Sequence, residues 1–228
     1  MTKVIYLSLL ILSGTLLFSA CQKEDSSDVN QDKIYTVYEL FYNANSDKTV
    51  AITRLRFGTP TGTLLELTGS AGVTFNGDVL PYSALYSGHA KEYAGKISGG
   101  TFIYTNTESQ TFTNSTPSMD TLSFPVGFDT IIKSQANTMA WTGNALGSSE
   151  RANLFVGSWT WGQDAIFFAS SGAADIVMGV NQLSNLALGS STCYIDRVNE
   201  VTVTQGTSEG GQIRTRYRPI NAPVLVIQ

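Results

Sequence analysis

Apolar and polar positions along this chain form one unbroken apolar run near the start, followed by a long series of short segments with period two. Residues 35–43 are aromatic and β-branched, which reads as a strand. The segment 43–48 is a turn by composition. In the segment 49–57, Ala51, Thr53, Leu55 and Phe57 share one face while Val50, Ile52, Arg54 and Arg56 share the other. The arginine end of that second face must meet solvent or a partner. A turn at 58–62 precedes a third strand at 63–67. The strongest local signal is Asn76-Gly77 with apolar residues on both sides, because this pair tolerates the positive φ angles that a two-residue hairpin requires. Pro81 limits how far the second arm can pair. Further strands at 92–97, 100–105 and 110–113 supply one small sandwich.

The second half repeats this grammar. Strands are expected at 121–124, 138–142, 152–161, 165–169, 176–178, 193–198, 201–205, 212–217 and 224–227, separated by Gly, Ser and Asn turns. After the initial apolar run, no stretch holds a helical period for three turns. Leu183 and Leu186 mark at most one helical turn closed by Gly189. Evenly spaced short strands predict an all-β fold of two tandem small antiparallel, Ig-like β-sandwich domains, 35–119 and 120–228. For the last hairpin, a loop at 206–211 would set Val203 opposite Ile213, Val201 opposite Thr215 and Glu200 opposite Arg216. Val201, Val203, Ile213 and Tyr217 then face the core, and Arg214, Arg216 and Arg218 form a stripe on a solvated face, with an anion site as the alternative.

The apolar run changes the picture of where this body resides. Lys3 precedes a charge-free stretch from Val4 to Phe18 that ends in small residues before Cys21. These are the features of a secretory signal over residues 1–20. At about fifteen apolar residues the run is too short to serve comfortably as an anchor helix. Phe18, Ser19, Ala20 and Cys21 resemble a bacterial lipobox, with Phe18 where Leu is usual. Lys23, Glu24 and Asp25, within the segment 22–28, resemble the lysine-plus-acidic export signal of Bacteroidota lipoproteins. The resemblance is confined to residues 1–28. It implies a covalent lipid on Cys21, attachment to the outer membrane through that lipid, and display on the cell exterior. Glu24, Asp25 and Asp28 also suit a polar, disordered tether over 21–34.

Composition narrows the partners. Removing 20 of the 228 residues leaves 208 and lowers Lys plus Arg from 14 to 13 against 18 acids. A mildly acidic chain without a basic block is a poor partner for nucleic acid. With Cys21 assigned to a lipid, Cys193 has no disulfide partner and reads as a small buried hydrophobe.

Candidate chemistry is sparse. His89 is the only histidine and falls in a turn-rich stretch, so it reads as a loop residue. Neither a zinc site nor a His-activated nucleophile assembles in its common form, and no cofactor other than the Cys21 lipid is expected. A carboxylate pair, as in glycoside hydrolysis, stays open, with Glu66, Glu92, Glu150, Asp164, Asp175 and Asp196 as candidates of no distinguishing spacing. Around Gly157, alternation puts Phe155, Trp159 and Trp161 on one face. That face is either core, as for Trp141, or an exposed aromatic platform for a sugar or protein partner, with Gly157 leaving room above it. The leading expectation is therefore a non-catalytic binding or structural module, adhesin-like or glycan-contacting. The alternatives are a carboxylate-dependent glycan hydrolase, an accessory subunit of polysaccharide uptake, and a subunit of a polymeric surface fibre.

Overall fold

Alternation along the strands builds one large sheet that is apolar on one face and polar or aromatic on the other. The computed structural model describes residues 23–157 and 162–228. Its strands are β1 (Glu24–Asp25), β2 (Ile34–Asn43), β3 (Lys48–Phe57), β4 (Leu64–Glu66), β5 (Gly72–Phe75), β6 (Asp78–Val79), β7 (Tyr82–Ser83), β8 (Gly88–Ala94) and β9 (Thr101–Thr105). There follow β10 (Thr111–Ser115), β11 (Thr130–Ile132), β12 (Asn137–Ala140), β13 (Glu150–Gly157), β14 (Ala165–Ser170), β15 (Asp175–Met178), the short helix α1 (Val180–Leu183), β16 (Gly189–Thr202), β17 (Gly211–Arg218) and β18 (Ala222–Ile227). The fold is all-β, with sandwich packing.

The large sheet runs β1-β4-β3-β2-β17-β16-β13-β14, with β8 also on β3 and β18 also on β16. Two smaller sheets, β10-β9-β5-β6 and β12-β15, accompany it. The first core joins Tyr38, Leu40, Ala51 and Leu55 of the large sheet to Val73, Phe75, Phe102 and Tyr104 of the four-stranded one. The second joins Leu154, Val156, Phe167, Cys193 and Ile195 to Met139, Trp141, Ile176, Met178 and Leu183. By strand parity and register, both cores lie on the same face of the large sheet.

Residues 118–121 connect the two cores, yet the sheet does not divide there. β17, from the end of the chain, pairs in parallel with β2 from its beginning, and Ile213 joins the first core. β1–β4 and β11–β18 are parallel as well, so the sheet is mixed rather than purely antiparallel. The strand expected at 193–198 and the first two residues of the one expected at 201–205 belong to the single strand β16, and the strand expected at 121–124 reduces to an isolated bridge between Ser123 and Thr142.

At the Asn76-Gly77 turn, φ values of 50° and 87° connect β5 to β6 as the sequence implies. The last hairpin is shifted by two residues. Val201 faces Ile213, and Glu200 faces Arg214 rather than Arg216. The cause lies in the buried side chain of Asn114, whose Oδ1 accepts from the amides of Thr204 and Gln205 at 2.9 and 3.0 Å. This grip holds 204–205 against the four-stranded sheet and ends the ladder early. A shift of two preserves side-chain faces, so the arginine stripe stays together.

The stretch read as a disordered tether is ordered from Lys23 onward. Glu24 and Asp25 pair with Leu65 and Glu66, while the buried Gln31 donates through Nε2 to the Ser26 carbonyl at 2.6 Å. His89 lies in β8 rather than in a loop. Its Nε2 accepts from the Leu67 amide at 3.0 Å, and its Nδ1 lies 3.1 Å from the Leu80 carbonyl. That pairing fixes a neutral ring with the proton on Nδ1, and burial pushes its pKa down.

Candidate functional site

The face of the large sheet opposite the two cores has no second layer over β2, β17, β16, β13 and β14 among the described residues. Parity brings Glu39 and Phe41 of β2, Arg214 and Arg216 of β17, Tyr194, Asp196 and Glu200 of β16, Arg151, Asn153 and Phe155 of β13, and Ile166 and Phe168 of β14 onto it. Arg54 of β3 reaches it from the far side.

The centre of this face is an arginine and carboxylate lattice. Glu39, only 1% exposed, receives Arg54 at 3.1 Å and Arg214 at 2.8 Å on Oε2. Arg216 Nε lies 2.9 Å from the other oxygen without the alignment of a hydrogen bond, so this contact is coulombic. Burial alone would raise the Glu39 pKa, but the guanidiniums of Arg216, Arg214 and Arg54 outweigh it and hold the carboxyl down to about 2. Glu200 bridges Arg151 and Arg214 at 3.2 and 3.3 Å. Asp196 takes Arg218 through two parallel contacts of 2.7 Å, a bidentate geometry that fixes both groups. The stripe is therefore neither free in solvent nor vacant for an anion, because its counterions are internal.

Aromatic rings extend the lattice sideways. Arg216 sits 3.7 Å above Phe41, Arg218 sits 3.9 Å from the Tyr194 ring, and Tyr194 stacks on Phe155 at 4.7 Å between centroids. Beyond them Asn153, Phe155, Ile166, Phe168, Tyr194 and Asp196 enclose a shallow depression of about 230 Å³. Its rim is apolar and open, Phe168 being 71% and Ile166 50% exposed. Asn153 and Asp196, the latter held by Arg218, supply the polar part of its lining.

Of the three residues in the aromatic platform alternative, Trp159 and Trp161 lie outside the described residues. Phe155 is buried to 7% exposure, yet it lies on the face opposite the cores, which Leu154 and Val156 fill instead. The room expected above Gly157 is occupied, because a Cβ there would come within 1.9 Å of Asp164 Oδ1. Trp141 is core, its Nε1 donating to the Asn144 carbonyl at 3.2 Å. Cys193 is buried and unbridged, with its thiol pushed up to about 12 by desolvation. Cys21 lies outside the described residues. The export-signal residues sit at the opposite end of the sheet, where Lys23 pairs with Glu66 and lies 4.6 Å over the Tyr82 ring.

Of the candidate carboxylates, Asp164 and Asp196 both lie near enough to the Tyr194 ring to act on it electrostatically, against the pull of Arg218 and Arg216. Glu66 pairs with Lys23, Glu92 with Lys48 and Glu150 with Arg197, while Asp196 belongs to the lattice. No group of three or more metal-ligating side chains occurs among the described residues. Sequence reasoning missed Asn153, Ile166, Phe168 and Tyr194. Their signal was present as the alternate positions of β13, β14 and β16 on the non-core face, but it required the strand pairing to be read. A comparison with protein-family models and with characterised proteins gives no match.

Proposed function

We propose that this protein is a lipoprotein anchored to the outer membrane through Cys21, facing the cell exterior, and that its body is a non-catalytic module that contacts glycans through the open face of the large sheet. The depression beside the lattice carries this reading. Sugar rings pack their apolar faces on aromatic side chains and direct hydroxyls at fixed polar groups. Phe168, flanked by the apolar Ile166, offers the first kind of surface, and Asn153 and the Arg218-held Asp196 the second. A volume of about 230 Å³ suits one ring of a longer chain.

The environments of Glu39 and Glu150 suit neither of them to act as a general acid. A general acid needs a carboxyl raised toward neutrality, whereas arginines depress both Glu39 and Glu150 against their burial. Titration of the protein with soluble oligosaccharides tests the contact. Binding should weaken at least about tenfold in Phe168→Ala, and a ligand bound equally well by that variant would place the contact elsewhere. Labelling with radioactive palmitate tests the anchor, with incorporation expected in the wild type and lost in Cys21→Ala. Protease treatment of intact cells tests the orientation, and a chain cleaved only after the outer membrane is opened would overturn it.

A further inference from the structure

We infer that the edge of the body carrying β1, β4 and β7 rests in the lipid headgroup layer of the membrane, with residues 79–82 against the lipid and the β14 depression held at the far edge of the sheet. The inference rests on the lipid anchor at Cys21 proposed above, and the shortness of the connection between that residue and the folded body carries it. Residues 23–33 are fastened to the body. Glu24 and Asp25 pair with Leu65 and Glu66 of β4. Ser26 is fully buried, and its Oγ accepts from the Thr68 amide at 3.1 Å. Gln31 Nε2 donates to the Ser26 and Val29 carbonyls at 2.6 and 2.9 Å, and its Oε1 accepts from the Thr107 amide at 3.3 Å. The body thus begins at Lys23. Two peptide links join Cys21 to Lys23, and extended chain spans at most about 7 Å over them. The headgroup layer is itself about 5–7 Å deep on each side of a bilayer, so a lipid on Cys21 keeps Lys23 at headgroup depth.

The surface around Lys23 suits that depth. Lys23 pairs with Glu66 and lies 4.6 Å over the Tyr82 ring. Glu66 and Tyr82 share a shallow depression of about 240 Å³ with Val73, Val79, Leu80 and Pro81, and Val79 is 68% exposed. Tyrosine favours the boundary of lipid and water, where its ring meets apolar groups and its hydroxyl stays wet. A lysine stem lies along apolar surface with its ammonium among the headgroups. Attraction by charge does not drive the contact, because Lys23 is balanced by Glu66 and the acids Glu24 and Asp25 are exposed. The short connection imposes it. β1 and β14 end the sheet, seven inter-strand spacings apart, so at about 4.8 Å each the β14 strand lies roughly 30 Å from the anchored edge. A footing on the first edge therefore leaves Phe168 clear of the headgroups.

Fluorescence quenching of the cell-processed full chain in phosphatidylcholine vesicles tests it. Cys193 is buried, so an introduced surface cysteine takes a dye selectively. A dye on Val79→Cys should lose most of its emission when the vesicles carry a nitroxide on the lipid headgroup, and the same dye on Phe168→Cys should lose almost none. Thermal unfolding of each labelled variant checks that the body is intact, and Ala71→Cys, which lines the same depression as Val79, decides if Val79→Cys unfolds. Emission at the first position that survives the nitroxide would overturn the inference. Equal losses at residues 79 and 168 would overturn it as well, because the body would then lie flat on the lipid. Palmitate incorporation, measured on the same preparation, separates this inference from the anchor. A lipidated chain with an unquenched dye at residue 79 removes the footing and leaves the anchor standing, whereas a chain without lipid removes both.

Discussion

Both faces of the large sheet carry a buried carboxylate held by arginine, and the two clusters differ in what surrounds them. On the covered face, between the two cores, Arg197 donates to both oxygens of Glu150, to the Asn144 and Ala145 carbonyls at 2.8 and 3.2 Å, and to the Thr121 carbonyl at 3.4 Å. Asn199 and Thr215 bind the Ser118 carbonyl at 3.1 and 2.8 Å. This cluster saturates its donors on the 118–121 connection and acts as a pin. On the open face Arg54, Arg214 and Arg216 surround Glu39, but their guanidiniums stay about a quarter exposed and the Nε groups of Arg214 and Arg216 make no hydrogen bond. Similar residues thus make a closed joint on one side of the sheet and a partly exposed lattice on the other. The presence of a covering layer decides which.

The contrast breaks most sharply at Arg197. Arg197→Met leaves Glu150 buried without a counterion and frees the connection, so urea unfolding should show a loss of about 3–5 kcal/mol. Glu39 separates the faces by pH. Its folded pKa lies below its unfolded value, so its contribution is fully present above about pH 4.5 and is lost as pH falls through about 2. The drop corresponds to about 3 kcal/mol, and Glu39→Gln should flatten that acid limb when unfolding is followed across the range. A smaller effect is expected at His89, where His89→Phe strands the Leu67 amide and the Leu80 carbonyl. Chemical unfolding should register about 1–2 kcal/mol. The open rim gives the least. Phe168→Ala should stay within about 0.5 kcal/mol of the wild type in the same assay, and a larger loss would mean that this rim is part of the framework.

The sequence carried the strands and their faces well, because period two is a local property. Val50, Ile52 and Arg54 separated correctly from Ala51 and Leu55, and the Asn76-Gly77 turn was visible from its two residues alone. Pairing partners were not legible. Nothing near residue 214 announces Glu39 as its counterion, since the parallel β2–β17 ladder joins segments about 175 residues apart. The hairpin register failed for a related reason, being set by Asn114, a polar residue from another sheet. His89 read as a loop residue from its turn-rich neighbours, while its burial depends on Leu67 and Leu80. The depression was half legible, in that Phe155 was singled out while its neighbours on β14 and β16 were not.

The place of β17 between β2 and β16 also sets the timetable of synthesis. A ribosome releases the N-terminal segments first, at about 5–20 residues per second. Until Gly211–Arg218 emerges, β2 is an open edge and Glu39 lacks two of its three arginines. The first half of the chain must therefore wait, unfinished and exposed, until residues 211–218 have been made. A chain stalled or truncated after residue 119 is expected to be a substrate for chaperones and proteases rather than a small domain in its own right.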